Sequence, residues 1–175
     1  MDTNKKNKFQ SLKFQIENFS NCKKSDVNVN SNNLHFRFAV NSLSKKFISE
    51  KQLIKKLKDK FGDLDFSDTI EKLKSLKFLD DQKLTEIECR NLSSRKFFSN
   101  RRIKTHLSQK GLSDYLVENC LENFGDEFER AMSLLRKKYK TKDKMQIDKA
   151  SRFLFSYGYS TDIIRKSIKE YFYEN

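Results

Sequence analysis

The side chains that could carry chemistry in this chain are cations, and one group of them lies just after Ser99. Arginine and lysine there can bind phosphate or carboxylate groups, but they form no proton-transfer pair. The group consists of Arg101, Arg102, Lys104 and Lys110. The 175 residues include 37 Lys and Arg against 24 Asp and Glu, for a formal net charge of +13. This excess favours an anionic partner, with nucleic acid first, although a simply solvated Lys-rich surface is the other interpretation.

The residue types needed for catalysis or metal binding are scattered. His35 and His106 have no ligand neighbour at helical spacing, and four glycines are too few for a Gly-rich phosphate loop. Cys22, Cys89 and Cys120 lie far apart, and Cys120 falls on an apolar helical stripe that predicts a small buried thiol. We therefore expect no catalytic set, no cofactor and no metal.

The odd cysteine count also bears on localisation. Together with a start that lacks an apolar run after its charges, it predicts a cytoplasmic protein. No stretch approaches the roughly 18 apolar residues of a membrane span.

Two short helices joined by a glycine turn must position the cations after Ser99. Ile103 and Leu107 lie four residues apart, on one helical face. Gly111 is predicted to end that helix in a left-handed conformation, and Ser113 to cap the next one. The apolar stripe of the second helix comprises Val117, Cys120, Leu121 and Phe124.

The same pattern recurs along the chain. A shift of 47 residues places Gly111 on Gly158, with apolar positions matching on both sides. Leu53 and Leu57 belong to an upstream copy whose turn contains Gly62. A period of about 47–50 residues is typical of stacked helical repeats, whose units bury their apolar faces on one another. Chance similarity between amphipathic helices is the alternative.

These patterns predict an all-α chain with three repeats. Residues 1–33 are predicted to be an N-terminal arm or weak hairpin, and the repeats to span 34–79, 80–125 and 126–175. Within them we expect helices to begin at Ser49-Glu50 and Asp126-Glu127, and a helix to run over Asp63–Lys77. Apolar stripes are predicted at Phe36, Ala39, Val40 and Leu43 and at Phe128, Ala131, Met132 and Leu135, and Leu84, Ile87, Glu88 and Leu92 are predicted to lie on or beside one helical face.

Several stretches in this order resemble the RecX family of RecA regulators. They are Ser49–Leu57, Leu76–Asp81, Arg101–Gly111, Arg136–Tyr139 and Lys149–Gly158. The first is similar to Ser-Glu-x-Glu-Leu-x-x-Lys-Leu, the second to Leu-Gly-Tyr-Leu-Asp-Asp, and the third to Arg-Arg-Ile-x-x-x-Leu-x-x-Lys-Gly. The last two are similar to Arg-Lys-Lys-Phe and Lys-x-x-Arg-Phe-Leu-x-x-Arg-Gly.

The chain also departs from the family pattern. Lys77 replaces the Gly of Leu-Gly-Tyr, and Tyr157 replaces the Arg before the last Gly. Ser99-Asn100 stands where the family has Gly-Pro. These departures concern individual turns and one basic contact, and leave the repeat pattern in place.

The resemblance implies an elongated right-handed-type stack of three tandem three-helix repeats in a monomeric protein that is not an enzyme. It implies binding in the groove of the RecA–DNA filament, with single- or double-stranded DNA, and inhibition of filament extension, ATP hydrolysis and strand exchange. Contacts to DNA phosphate or RecA are then expected from Arg101, Arg102, Lys104 and Lys110, flanked by Lys55, Lys56, Arg136, Lys137, Lys138 and Arg152.

Two alternatives use the same residues without that filament. A stand-alone nucleic-acid-binding module would grip phosphate with its basic helices. The bases of the bound nucleic acid could stack on Tyr157, Tyr159, Tyr171 or Phe172, although helical spacing favours the core for most of these rings. A protein-only adaptor would bind its partner in a salt-insensitive way.

Overall fold

The computed structural model describes residues 31–141 and 143–173, and these ranges are all-helical. We number the helices in successive groups of three. The first group is α1 (Ser31–Lys45), α2 (Glu50–Phe61) and α3 (Ser67–Ser75), and the second is α4 (Asp81–Arg90), α5 (Asn100–Gln109) and α6 (Asp114–Glu122). The third group is α7 (Glu127–Lys138), α8 (Ile147–Ser156) and α9 (Thr161–Tyr173). A π-helical turn (Asn91–Arg95) follows α4, and a 3₁₀ turn (Lys144–Gln146) precedes α8.

This architecture confirms the predicted all-α fold of three-helix repeats. The predicted arm or hairpin lies outside the described residues, apart from its last three positions, where α1 already begins. The boundaries 34–79, 80–125 and 126–175 stay a prediction. Within the described ranges, no helix combines the length and apolarity needed to cross a membrane.

The helix starts follow the local capping rules. Ser49, Ser99, Ser113 and Asp126 all have extended backbones, and each side chain accepts a backbone N–H of the first turn that follows. At Ser49 the cap is reciprocal, because the Gln52 side chain accepts the N–H of Ser49 at 3.4 Å. The predicted starts at Ser49, Ser113 and Asp126 are therefore confirmed.

Gly111 and Gly158 make the turns that the repeat pattern predicted. Their φ angles are 79° and 90°, a left-handed region that side chains with a Cβ rarely adopt. Leu112 then donates its N–H back to the carbonyl of Leu107 at 3.2 Å. Each glycine thus ends one helix and lets the chain turn into the next.

Packing divides the chain into two compact units, with the boundary between Leu84 and Thr85 inside α4. In the first unit α1 packs on α2 and α3. Its core consists of Phe36, Ala39, Val40, Leu43, Ile48, Leu53, Leu57, Phe66, Ile70, Leu73, Phe78 and Leu79. In the second unit α9 packs on α7 and α8, and α5 packs on α6. A core cluster there consists of Phe128, Ala131, Met132, Leu134, Leu135, Ala150, Leu154, Tyr159, Ile164, Ile168, Tyr171 and Phe172.

Two helix predictions were wrong in extent. The helix predicted over Asp63–Lys77 is confined to Ser67–Ser75. At its start the Asp65 carboxylate accepts the backbone N–H of Ser67 at 2.9 Å and holds a turn. At its end Lys77 is left-handed, with φ 57°.

The stripe predicted along α4 is also interrupted. Leu84 is buried, but Ile87 is exposed, and Leu92 reaches the interior from the π-helical turn rather than from an α-helix. A π-helical turn contains more residues than an α-helical turn, so the side chains that follow it point in a different direction from those of a continuous α-helix.

A carboxylate ties each of two helix starts to the helix that begins the next group. The N–H of Glu50, first in α2, donates to Asp81, first in α4, at 3.0 Å. The N–H of Asn100, first in α5, donates to Glu127, first in α7, at 3.1 Å. The acid accepts a helix N–H that has no intrahelical partner and faces the positive end of the dipole.

Arg130 adds further hydrogen bonds around the contact between Asn100 and Glu127. Its side chain is nearly buried, and its guanidinium donates to the carbonyls of Phe124 and Gly125 at 3.1 and 3.2 Å. It also donates to the side-chain oxygen of Asn100. Arg130 therefore has a structural role, since a buried cation needs such acceptors. The sequence does not distinguish it from the exposed cations.

Candidate nucleic-acid interface

A groove in the second unit is lined by cations and aromatic rings. We call it the basic-aromatic groove; its cavity volume is about 630 Å³. It lies between the segment after the π-helical turn, the last turns of α7, and α8. Its lining residues are Arg95, Lys96, Phe97, Phe98, Leu134, Lys137, Lys138, Phe153 and Tyr157.

Hydrogen bonds from distant residues fix one wall of the groove. The phenol of the buried Tyr159 donates to the carbonyl of Phe97 at 2.7 Å. The N–H of Ser99 donates to the carbonyl of Tyr157 at 3.1 Å. Phe97 itself is left-handed, with φ 55°, which is unusual for a bulky residue and persists only where surrounding contacts hold it.

The ring of Phe98 contacts two cations, Lys96 and Arg102. The Lys96 ammonium lies 5.7 Å and the Arg102 guanidinium 4.3 Å from the centre of its ring. Arg102 also donates to the carbonyl of Ser156, at the end of α8. The Phe98 ring and the Ser156 carbonyl hold Arg102 beside the groove. Tyr157 packs edge-on against Phe98, with ring centres 5.7 Å apart.

The opposite side of the groove repeats this pairing of cation and ring. Lys137 lies 5.3 Å from the ring centre of Phe97, and Lys138 lies 5.7 Å from that of Phe153. Both lysines belong to the last turn of α7, where positive charge also suits the negative end of the helix dipole. The charges are thus held over rings while their side chains stay exposed.

No carboxylate is among the described residues that line the basic-aromatic groove. Two grooves of the first unit differ in this respect. One is lined by Lys74 and Lys77 together with Glu50, Asp80 and Asp81, and the other also mixes lysines with acids. The basic-aromatic groove therefore keeps its positive charge available to an outside anion.

Lys104 and Lys110, in contrast, are ion-paired. Lys104 contacts Glu118 at 2.8 Å, and that contact raises the pKa of the ammonium. Lys110 contacts Glu88 at 2.5 Å, with both side chains about four-fifths buried. Burial, with Lys110 nearby, lowers the pKa of His106. An incoming anion would have to compete with these carboxylates.

The other predicted site residues are exposed. Lys55 and Lys56 lie on α2 in the first unit. Arg101 lies on α5, Arg136 in the last turn of α7, and Arg152 on α8. Of the ten predicted residues, Lys137 and Lys138 line the basic-aromatic groove, and Arg102 lies beside it over the Phe98 ring.

Sequence reasoning missed Arg95 and Lys96, which are exposed in the groove wall. The signal was the run Arg95-Lys96-Phe97-Phe98, two cations followed by two rings. Such interleaving of basic and aromatic residues is typical of nucleic-acid surfaces. The run lies outside any helical stripe, so only its residue types indicate a site.

The aromatic residues proposed for base stacking fall into two sets. Tyr159, Tyr171 and Phe172 are buried, as their helical spacing favoured, so they cannot stack on an outside base. Tyr157 is half-buried and lines the groove.

The thiols and histidines do not form a site in the described ranges. Cys89 and Cys120 are both buried free thiols, which confirms the prediction for Cys120. Burial, with a hydrogen bond to Cys120, raises the pKa of Cys89 to about 12. His35 packs edge-on against Phe61, with ring centres 4.6 Å apart. In residues 31–141 and 143–173, no three His, Cys, Asp or Glu side chains could together hold a metal ion.

Comparison with known proteins gives a consistent result. A family model described as "RecX, third three-helix domain" matches residues 125–168. The regulatory protein RecX of Finegoldia magna is 32% identical over 140 residues, which cover 75% of this chain and 68% of that protein. That of Clostridium beijerinckii is 29% identical over 165 residues, covering 89% and 70%. The crystal structure of RecX from Lactobacillus salivarius matches with a TM-score of 0.67 and 25% identity, covering 79% of this chain and 95% of that one.

Proposed function

Because this chain belongs to the RecX family, we propose that it regulates DNA recombination and repair by binding in the groove of the RecA–DNA filament. There it inhibits filament extension, ATP hydrolysis and strand exchange. The observation that carries this proposal is family membership, with relatives named as regulatory proteins. We further propose that it acts without a cofactor, as a cytoplasmic monomer and not as an enzyme.

The distribution of exposed cations supports a polymeric, anionic partner. Lys55 and Lys56 lie in the first unit, whereas Arg101, Arg136 and Arg152 lie in the second. Each exposed cation contributes little alone, but contacts on a shared polymer combine through effective concentration. We propose all ten predicted cations as filament contacts, with Arg102, Lys137 and Lys138 at the basic-aromatic groove as the principal ones.

The test is inhibition of the DNA-dependent ATPase of RecA, at physiological salt and at protein amounts far below the concentration of DNA sites. A filament regulator acts at these amounts, since each bound molecule affects many RecA subunits. Charge reversal of Lys137 and Lys138, or of Lys55 and Lys56, should raise the half-inhibiting concentration by about tenfold or more, because contacts on one polymer combine.

Lys45 and Lys46 provide the matched control for these variants. They are also an adjacent, exposed lysine pair, and their reversal should leave inhibition within about twofold of the wild type, the scale of an exposed charge. Inhibition that begins only when the protein saturates the DNA would contradict the filament proposal.

The second candidate function is a stand-alone nucleic-acid-binding module. It is favoured because no carboxylate is found among the described lining residues of the basic-aromatic groove, so DNA alone would suffice as the ligand. The same titration separates the two functions. A simple competitor for DNA inhibits RecA in proportion to the DNA it covers, whatever the length of the filament.

A further inference from the structure

We propose that the basic-aromatic groove holds the phosphodiester backbone of a single DNA strand. Its cations then contact DNA directly, whereas Lys104 and Lys110 are assigned to the RecA side of the proposed filament contacts. The inference deepens the proposed function and rests on it for the choice of DNA as the anion. It adds Arg95 and Lys96 to the set of contacts.

Charge is the first argument. Arg95, Lys96, Lys137 and Lys138 are exposed, and they line the groove without an acid among its described lining residues. A strand that lies along them would release about 0.7 counterions for each phosphate neutralised. Lys104 and Lys110 are ion-paired with Glu118 and Glu88, so a phosphate would have to compete with a carboxylate at each of them.

The rings supply the second argument. Each of Lys96, Lys137 and Lys138 is held over a ring, with its ammonium 5.3 to 5.7 Å from the ring centre. A lysine held in this way has lost part of its rotamer freedom before binding, but it keeps N–H donors for a phosphate oxygen. Because the rings are engaged with cations, they position charge rather than read bases. We expect little preference for base sequence.

The groove volume and its hydrogen-bonded wall suit a single strand. A volume of about 630 Å³ lies in the range of sites for single ligands, which suits a few nucleotides of one strand. The wall from Phe97 to Ser99 is fixed by the Tyr159 phenol and the carbonyl of Tyr157, so the groove exists before binding. An acidic peptide presents carboxylates to the same charges, and the polyglutamate arm of the test below distinguishes it from DNA.

The binding test uses the full chain without RecA, with fluorescence anisotropy of a labelled oligothymidylate. The groove variant is Arg95→Gln, Lys96→Gln, Lys137→Gln and Lys138→Gln. The control variant is Lys45→Gln, Lys46→Gln, Lys83→Gln and Arg165→Gln, which removes the same charges from exposed positions elsewhere. Circular dichroism checks that both variants keep the helicity of the wild type.

Salt dependence gives the expected magnitude. Loss of four phosphate contacts should lower the slope of log affinity against log salt by about 3. A fourfold rise in salt should therefore cost the wild type about 50-fold more affinity than it costs the groove variant. The control variant should lower the slope by less than about 1. Equal slopes for groove and control variants would overturn the inference.

A measurement on the wild type keeps the inference testable if the groove variant does not fold. Bound oligothymidylate should protect Lys96, Lys137 and Lys138 from acetylation, as read by mass spectrometry, while Lys45 and Lys46 stay modified. Equal acetylation with and without DNA would overturn it. So would protection by a polyglutamate peptide, or by a blunt duplex, at concentrations where the single strand gives none.

The RecA ATPase assay separates this inference from the proposed function. If the wild type binds the strand in its groove but does not inhibit RecA, the proposed function fails and the groove assignment stands. If the wild type inhibits RecA and the groove variant binds the strand normally, the groove assignment fails and the proposed function stands.

Discussion

Replacing Gly158 by alanine should destabilise the second unit far more than the same change at another left-handed glycine. Gly158 has φ 90° and lies where the end of α8 meets the start of α5. An added Cβ would lie 2.6 Å from the Ser99 side-chain oxygen and 2.9 Å from the Cβ of Arg102. Both distances are shorter than real Cβ contacts allow, so one of the two helix ends must move.

The expected loss has three parts. The left-handed backbone costs alanine about 1–2 kcal/mol. Displacing the Ser99 oxygen weakens the N-cap of α5, which contributes about 1 kcal/mol through its bond from the N–H of Arg102. Contact with the Arg102 Cβ, which cannot swing away, adds an overpacking cost of about 1–3 kcal/mol. Together these predict a loss of about 4 kcal/mol.

Gly125→Ala is the matched control, because Gly125 belongs to the same unit. It has φ 75°, and nothing lies within 4 Å of the Cβ that alanine would add there. Only the backbone cost of about 1–2 kcal/mol applies. The two variants should therefore differ by about 2.5 kcal/mol in the free energy of unfolding, measured by urea titration. For a unit of this size that difference corresponds to roughly 10–20 °C in melting temperature.

Equal losses for the two variants would refute this reasoning. Gly158 would then be needed for its turn alone, and α8 and α5 would not approach each other as described. A loss of stability at Gly158 without weaker DNA binding would show that the contact of α8 with α5 is independent of the basic-aromatic groove, beside which Arg102 lies.

Two further predictions concern backbone strain and thiol chemistry. Lys77→Gly should stabilise the first unit by up to about 1 kcal/mol in urea titration, because φ 57° favours glycine; Lys77→Ala, which removes the same charge without that relief, should give no gain. Cys89 should resist iodoacetamide at pH 8 in the folded protein and react in urea, because burial raises its pKa to about 12 and keeps the thiol protonated. A gain from Lys77→Ala, or native alkylation of Cys89 found by peptide mapping, would contradict these expectations.

Local rules account for most of what could be predicted from the sequence. Ser49, Ser113 and Asp126 cap their helices because a short polar side chain can reach the free N–H groups of the turn that follows it. Gly111 and Gly158 can adopt the left-handed backbone conformation because glycine lacks the Cβ that would make it costly. These effects act over a few residues, so a single sequence contains them.

The basic-aromatic groove depends on contacts that are distant in sequence. Phe97 is held by a phenol 62 residues away, and no pattern around Phe97 indicates that bond. Lys104 and Lys110 looked like free cations because Glu118 and Glu88 lie on other elements. The run from Arg95 to Phe98 is a local signal for a basic and aromatic surface, but its partners in the groove come from α7 and α8 and are not readable from it.

The carboxylates of Asp81 and Glu127 bear on how such chains can be recombined. Each acid lies in the helix that follows a three-helix group, yet it satisfies an N–H of the preceding group. A chimera spliced at a group boundary therefore carries one member's acid against another member's amide. Splice points placed after the acid, toward the middle of the following helix, would keep donor and acceptor from the same parent.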